Sequence, residues 1–180
     1  MANSRGIYAI RRVVSPSSYE LFDEIKDELE VEFRGSDRLF TPETLLLTVI
    51  GFSRFSKKHK LNGPDTRQII NAVPSLHENI TAQIGRLGVF GSGNGMKLAV
   101  NVESEELVDE YQACRRAYAD RGYPLNERVM RADVFKPHCS IGYLHAANAG
   151  HHRENLKRYN KMIEFALHEQ IILEPPVLRD

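Results

Sequence analysis

An excess of either charge is missing from this chain, in which 24 basic and 24 acidic residues cancel over 180 positions. That balance excludes a global basic field for nucleic acid and an acidic solvating tail, so any phosphate binding has to be local. Cysteine is scarce too. Cys114 and Cys139 are the only two, and both sit inside apolar patterns, which fits buried thiols in a reducing compartment and not a disulfide framework. No apolar run approaches the roughly 20 residues that span a bilayer, and residues 1–5 lack the apolar stretch of a secretory signal. The expectation is a cytoplasmic protein with no membrane insertion. A metal-ligand cluster is lacking as well: His151 and His152 are adjacent at a helix start, where neighbours do not share a face. The glycines from Gly88 to Gly95 are not followed by a Walker-type Lys-Ser/Thr, so they read as turn residues.

What is present is enough chain for one domain with a substantial core, or for two small lobes sharing a sheet. Residues 6–14 form an apolar, β-branched run ending at Ser15-Pro16, a helix cap and first-turn pair. Phe22, Ile25 and Leu29 then recur at helical spacing, and residues 35–37 break the pattern. Residues 44–50 read as a strand buried on both faces, and 53–64 as a polar loop made positive by Lys57, Lys58 and Lys60. A helix from Asp65 carries Ile69, Ile70 and Val73, and a strand over 81–90 runs into the glycine-rich turn. The grammar then repeats. A strand over 96–102 leads to the cap Ser104 and a helix striped by Leu107, Tyr111, Cys114 and Tyr118. A strand over 138–144, a helix bearing Leu156, Tyr159, Ile163 and Leu167, and a strand over 170–173 complete the second half. Thr48 and Ser140 lie 92 residues apart, near half the chain, which suggests an internal duplication.

The segment Phe135-Lys136-Pro137-His138-Cys139-Ser140-Ile141-Gly142, with its Pro-His-x-Ser-Ile context, resembles the second His-x-Thr/Ser motif of the 2H phosphoesterases. That superfamily includes RNA 2′,3′-cyclic phosphodiesterases and the so-called 2′-5′ RNA ligases. Gly85-Arg86-Leu87-Gly88-Val89-Phe90-Gly91 is similar to the glycine-rich strand and turn between that family's two lobes. The resemblance spans nearly the whole chain. It implies an α+β fold of two pseudo-symmetric lobes with antiparallel sheets flanked by helices. The whole chain, 1–180, would be one bilobal domain, with 1–90 plus part of the C-terminal segment and 91–170 as pseudo-repeats. The first motif departs from the family pattern: Thr48 matches its hydroxyl residue, but Leu46 stands where a histidine is expected. Tyr143 also replaces an arginine often found three residues after the second motif's hydroxyl.

Alternate residues of a strand share a face, so His138 and Ser140 point together while Cys139 and Ile141 point away. In the family scheme two imidazoles straddle a phosphodiester, one removing and one delivering a proton, and each hydroxyl bonds a non-bridging oxygen. An imidazole with a pKa near 6.5 serves either role at neutrality, with no metal and no cofactor. The resemblance therefore implies His138, Ser140 and Thr48 as catalytic residues. Leu46, Tyr8, Arg12, Tyr143 and His145 are expected along the substrate; Tyr8, Arg12, His145 or the loop Lys57-Lys58-His59-Lys60 are candidates to replace the missing imidazole. The implied ligand is a nucleotide or RNA end carrying a phosphate, in particular a 2′,3′-cyclic phosphate, and the implied activity is a slowed hydrolysis. The alternatives are a binding module that no longer turns over, or an apolar docking groove at Leu46. A monomer is the default expectation, since nothing in the sequence sets an oligomeric state.

Overall fold

The computed structural model describes residues 9–51, 63–91, 96–122 and 135–176. Seven strands, β1 (Ala9–Val14), β2 (Arg38–Leu39), β3 (Leu46–Gly51), β4 (Ile80–Phe90), β5 (Lys97–Glu103), β6 (His138–Tyr143) and β7 (Gln170–Glu174), join in one sheet. Its order is β2-β6-β3-β1-β7-β4-β5, and every pairing is antiparallel. A further pairing of β6 with β5 closes the circuit, so strands from the two halves of the chain share a single hydrogen-bonded ring. The late strand β7 lies between β1 and β4.

Among the described residues four helices, α1 (Tyr19–Glu30), α2 (Gly63–Asn71), α3 (Glu105–Ala119) and α4 (Ala149–Met162), supply the apolar cover. Phe22, Ile25 and Leu29 of α1 and Leu107, Tyr111, Cys114 and Tyr118 of α3 are buried, the positions their helical spacing predicts. They share one core with Leu47 and Val49 of β3, Leu98, Val100 and Val102 of β5, and Cys139 and Ile141 of β6. Burying each such aliphatic side chain is worth about 1.5–3 kcal/mol. Ser104 caps α3 by accepting from the Leu107 N–H at 3.4 Å. Among the described residues no helix is long and apolar enough to cross a membrane.

Three local readings change. Ser15-Pro16 opens a 3₁₀ turn, Pro16–Ser18, and Ser15 makes no cap bond; its hydroxyl donates instead to Glu174 at 3.0 Å. Strand β2 and the 3₁₀ turn Pro42–Thr44 occupy a stretch with no strand pattern, because two residues are too few to show a period. The third change matters most. β3 starts at Leu46 and is not buried on both faces: Leu47 and Val49 enter the core, while Leu46 and Thr48 remain half-buried on the other side. One face of the ring is therefore core, and the other lines a cleft.

Candidate active site

Strand alternation decides what reaches this cleft. In β1, Ile10, Arg12 and Val14 are buried and Arg11 is exposed. Register pairs Arg11 with Thr48 and Val13 with Leu46. Between β3 and β6, Leu47 pairs with Cys139, so one step to either side Thr48 stands opposite His138 and Leu46 opposite Ser140. On β5, Ala99 pairs with Ser140 and Asn101 with His138. The result is a cleft of about 270 Å³ lined by Arg11, Phe40, Thr44, Leu46, Thr48, Lys97 and Ser140. Among the described residues neither Arg11 nor Lys97 has a carboxylate partner, and the Thr48 and Ser140 hydroxyls make no hydrogen bond. Two unpaired cations and two hydroxyls converging on one space suit an anion with several acceptor oxygens.

His138, two residues before Ser140 on the same face of β6 and opposite Thr48 by register, is not among the residues that line the cleft; two contacts hold it. Its Nδ1 lies 2.8 Å from the carbonyl oxygen of Lys136, and a carbonyl can only accept, so Nδ1 carries a proton. In the neutral ring the lone pair is then on Nε2, which meets no partner among the described residues. The imidazole stacks flat on Phe90, with centroids 4.1 Å apart and planes 4° from parallel. Gly88 makes room for that stack, since a Cβ there would lie 3.0 Å from the Phe90 ring. The ring is fixed in tautomer and in plane.

A bulge sets the far end of β6. Ser140 pairs with Ala99 and Gly142 with Leu98, leaving Ile141 as the extra residue. Ser140 and Tyr143, three apart, thereby face the same side. Gly142 permits β2 to approach, because a Cβ would come within 3.0 Å of the Arg38 carbonyl oxygen and 2.9 Å of the Phe33 ring. Tyr143 is half-buried, with the Arg38 guanidinium 5.7 Å from its ring centroid.

The remaining residues expected at the cleft are placed elsewhere or lie outside the described residues. Arg12 is fully buried on the core face, forming a bidentate ion pair with Glu110 of α3 and donating to the carbonyls of Ser75 at 2.6 Å and Glu78 at 2.9 Å. It cannot reach a ligand, because a guanidinium on the Ile10–Val14 face is committed to the core. His145 is exposed in the turn after β6; its N–H donates to Asp37 at 2.6 Å and its Nδ1 accepts from Ala147 at 3.3 Å. It does not line the cleft. Tyr8 and the loop from Lys57 to Lys60 lie outside the described residues.

Behind β2 a second polar group holds the Arg38 segment. Asp37 accepts from the His145 N–H, from Asn148 at 2.8 Å and from His152 Nε2 at 3.0 Å, while His152 Nδ1 lies 3.0 Å from the Tyr159 hydroxyl. Burial alone would raise the Asp37 carboxyl, but the bonds from His152, His145 and Asn148 outweigh it and hold it below its ordinary value. The Cys139 thiol is pushed up to about 12 by burial. Burial, aided by the Glu110 carboxylate, does the same to Cys114. Among the described residues no group of three or more His, Cys, Asp or Glu could hold a metal ion.

Similarity to solved structures shows the fold, which is that of the 2H phosphoesterases. TT0787 of Thermus thermophilus superposes with a TM-score of 0.53 at 19% identity, over 76% of this chain and 74% of that one. Escherichia coli LigT complexed with 3′-AMP gives 0.53 at 14%, over 79% and 74%. Kluyveromyces marxianus Usb1 with uridine monophosphate gives 0.52 at 13%, over 94% and 92%. No family model and no curated protein sequence matches the chain.

Proposed function

We propose that the cleft binds the phosphate of a nucleotide or RNA end, and that the protein opens 2′,3′-cyclic phosphates slowly with His138 as the one imidazole that the described residues supply. The observation that carries this reading is the convergence of Arg11, Lys97, Thr48 and Ser140 on one cleft in which Leu46 is diagonal to His138. Nucleotides bound to the same fold, 3′-AMP on LigT and uridine monophosphate on Usb1, support the ligand class. Thr48 and Ser140 meeting across one cleft also supports descent from an internal duplication.

The chemistry follows from the proton inventory. Water attacks phosphorus; His138 Nε2 takes its proton, and a P–O bond forms as the bond to the ribose 2′-oxygen breaks. Arg11, Lys97, Thr48 and Ser140 bind the non-bridging oxygens as charge builds on them. The leaving oxygen needs a proton, and Leu46 has none to give. Among the described residues no other group at the cleft stands in for it, so the leaving oxygen takes its proton from solvent, at a cost of about 10²–10⁴-fold. A second reading, binding without turnover, is favoured by the apolar wall that Leu46 and Phe40 present to a base.

Calorimetric titration with adenosine 3′-monophosphate and with adenosine tests the ligand class. The nucleotide binds and the nucleoside does not, and Arg11→Ala or Lys97→Ala each weakens binding about 10- to 100-fold, as expected for a charge-assisted hydrogen bond of about 1.5–3 kcal/mol. Equal affinity for nucleotide and nucleoside, or indifference to both substitutions, would overturn the reading.

A further inference from the structure

The stack of Phe90 on His138 joins β4 to β6 across β5. Phe90 pairs with Lys97 and Gly88 with Ala99, while on the other side of β5 Ala99 pairs with Ser140 and Asn101 with His138. Gly88, Phe90, Ala99, Ser140 and His138 therefore share the cleft face of the three strands. To meet His138, the Phe90 ring leans back along its own strand and across β5, and two small residues let it pass. It lies over Gly88, where an added Cβ would come within 3.0 Å of the ring. Ala99 is next across. It is fully buried, although Lys97 and Asn101, which point the same way on β5, are exposed and half-buried. Ala99 is thus covered from the cleft side, and the ring crossing β5 to His138 runs over that position.

What the stack supplies is rotational control. Histidine has only a broad preference about its Cβ–Cγ bond, so the rotamer alone does not set the ring plane. The Nδ1 contact at 2.8 Å with the Lys136 carbonyl fixes one edge of the ring. That carbonyl is itself held from both sides: Phe135 stacks on Tyr111 of α3 with centroids 4.2 Å apart, and the Pro137 carbonyl accepts from the Val102 N–H at 2.9 Å. A ring pinned at one edge still tilts. A flat neighbour 4.1 Å away and within 4° of parallel stops the tilt and closes that face of the imidazole to a ligand. We infer that Phe90 is the positioning residue of His138: it keeps the Nδ1 edge on Lys136 and leaves Nε2 as the ring atom that takes a proton from water. The inference rests on the proposed role of His138 and deepens it. Phe90 is not among the residues that line the cleft, so it acts through the imidazole and not on the phosphate. Its loss costs turnover and spares binding, and a reacting group misplaced by about 1 Å loses about 10²-fold in rate.

The test pairs two readouts in the wild type, Phe90→Leu, Phe90→Tyr and Gly88→Val: the ring ¹⁵N shifts of neutral His138, and the opening of an RNA dinucleotide 2′,3′-cyclic phosphate. Leucine fills the space without a flat face, tyrosine keeps the face, and valine in place of Gly88 displaces the ring while Phe90 itself stays. In the wild type the shifts report one tautomer, protonated at Nδ1. Phe90→Leu and Gly88→Val show a mixture of both tautomers. Their opening rate at saturating substrate falls about 10- to 100-fold, while the dissociation constant of adenosine 3′-monophosphate stays within about twofold. Phe90→Tyr recovers the single tautomer and most of the rate. Phe90→Leu with wild-type shifts and rate overturns the inference, as does a Phe90→Tyr protein as slow as Phe90→Leu. A loss of binding equal to the loss of rate overturns the positioning role and makes Phe90 part of the ligand's own wall. If no protein, wild type included, opens the cyclic phosphate, the hydrolytic reading fails, and the shifts alone decide whether Phe90 holds the ring.

Discussion

On the proposed reading, replacing Leu46 with histidine converts a slow site into a fast one. Leu46 is half-buried on the cleft face, paired with Val13 and, by register, opposite Ser140. That position is diagonal to His138, and diagonal neighbours across an antiparallel pair lie about 7–8 Å apart, room for a phosphate between two imidazoles. The new ring supplies the general acid whose absence costs about 10²–10⁴-fold, so opening of a 2′,3′-cyclic dinucleotide, followed by ³¹P NMR, accelerates by that factor in Leu46→His. Stability falls by about 1 kcal/mol, since only part of the 1.5–3 kcal/mol worth of a buried leucine is lost from a half-buried position. The pH profile changes as well. One imidazole acting as base gives a rate that rises with pH to a plateau, whereas two imidazoles needed in opposite states give a bell. Leu46→Gln can hydrogen-bond but cannot exchange a proton, and it stays slow. A folded Leu46→His protein no faster than Leu46→Gln would refute the assignment of the vacant place.

Other expected outcomes concern the scaffold. Glu110→Ala strands the buried Arg12 guanidinium and lowers stability by about 3–5 kcal/mol, read from denaturant midpoints. Because the Asp37 carboxyl is held below its ordinary value, its contribution is present above the unfolded-state pKa of about 3.9 and is lost as pH falls through the lower folded value; in Asp37→Asn, stability measured between pH 5 and pH 2 declines less steeply than in the wild type. Neither Cys139 nor Cys114, both near 12 and buried, reacts with a thiol reagent at pH 8 in the native protein, and both react once it is unfolded.

Much of the layout of the candidate site was legible from alternation. The spacing of His138 and Ser140, and of Leu46 and Thr48, puts each pair on one face of its strand with no tertiary information. The stripes of α1 and α3 were equally plain. Alternation also held the information that Arg11, and not Arg12, faces the cleft: Ile10 and Val14 share a face with Arg12 and mark it as core. Lys97 could be found the same way, as the polar partner of a strand whose Leu98, Val100 and Val102 are buried. Long-range geometry was not readable. Strand β2 owes its existence to Asp37 and to the gap at Gly142, not to propensity, and the bulge at Ile141 that turns Tyr143 toward the cleft shows only in the register. The Phe90–His138 stack joins residues 48 positions apart, which no local pattern encodes.

His138 is proposed to take the proton of the attacking water beside a cleft suited to a phosphate, and that assignment stands or falls on one comparison. Wild type and His138→Ala are incubated with an RNA dinucleotide ending in 2′,3′-cyclic phosphate, and the appearance of the monoester is followed. Slow opening by the wild type and none above background in the variant is expected, with both proteins still binding the dinucleotide. Equal opening by the two proteins would remove His138 from the chemistry.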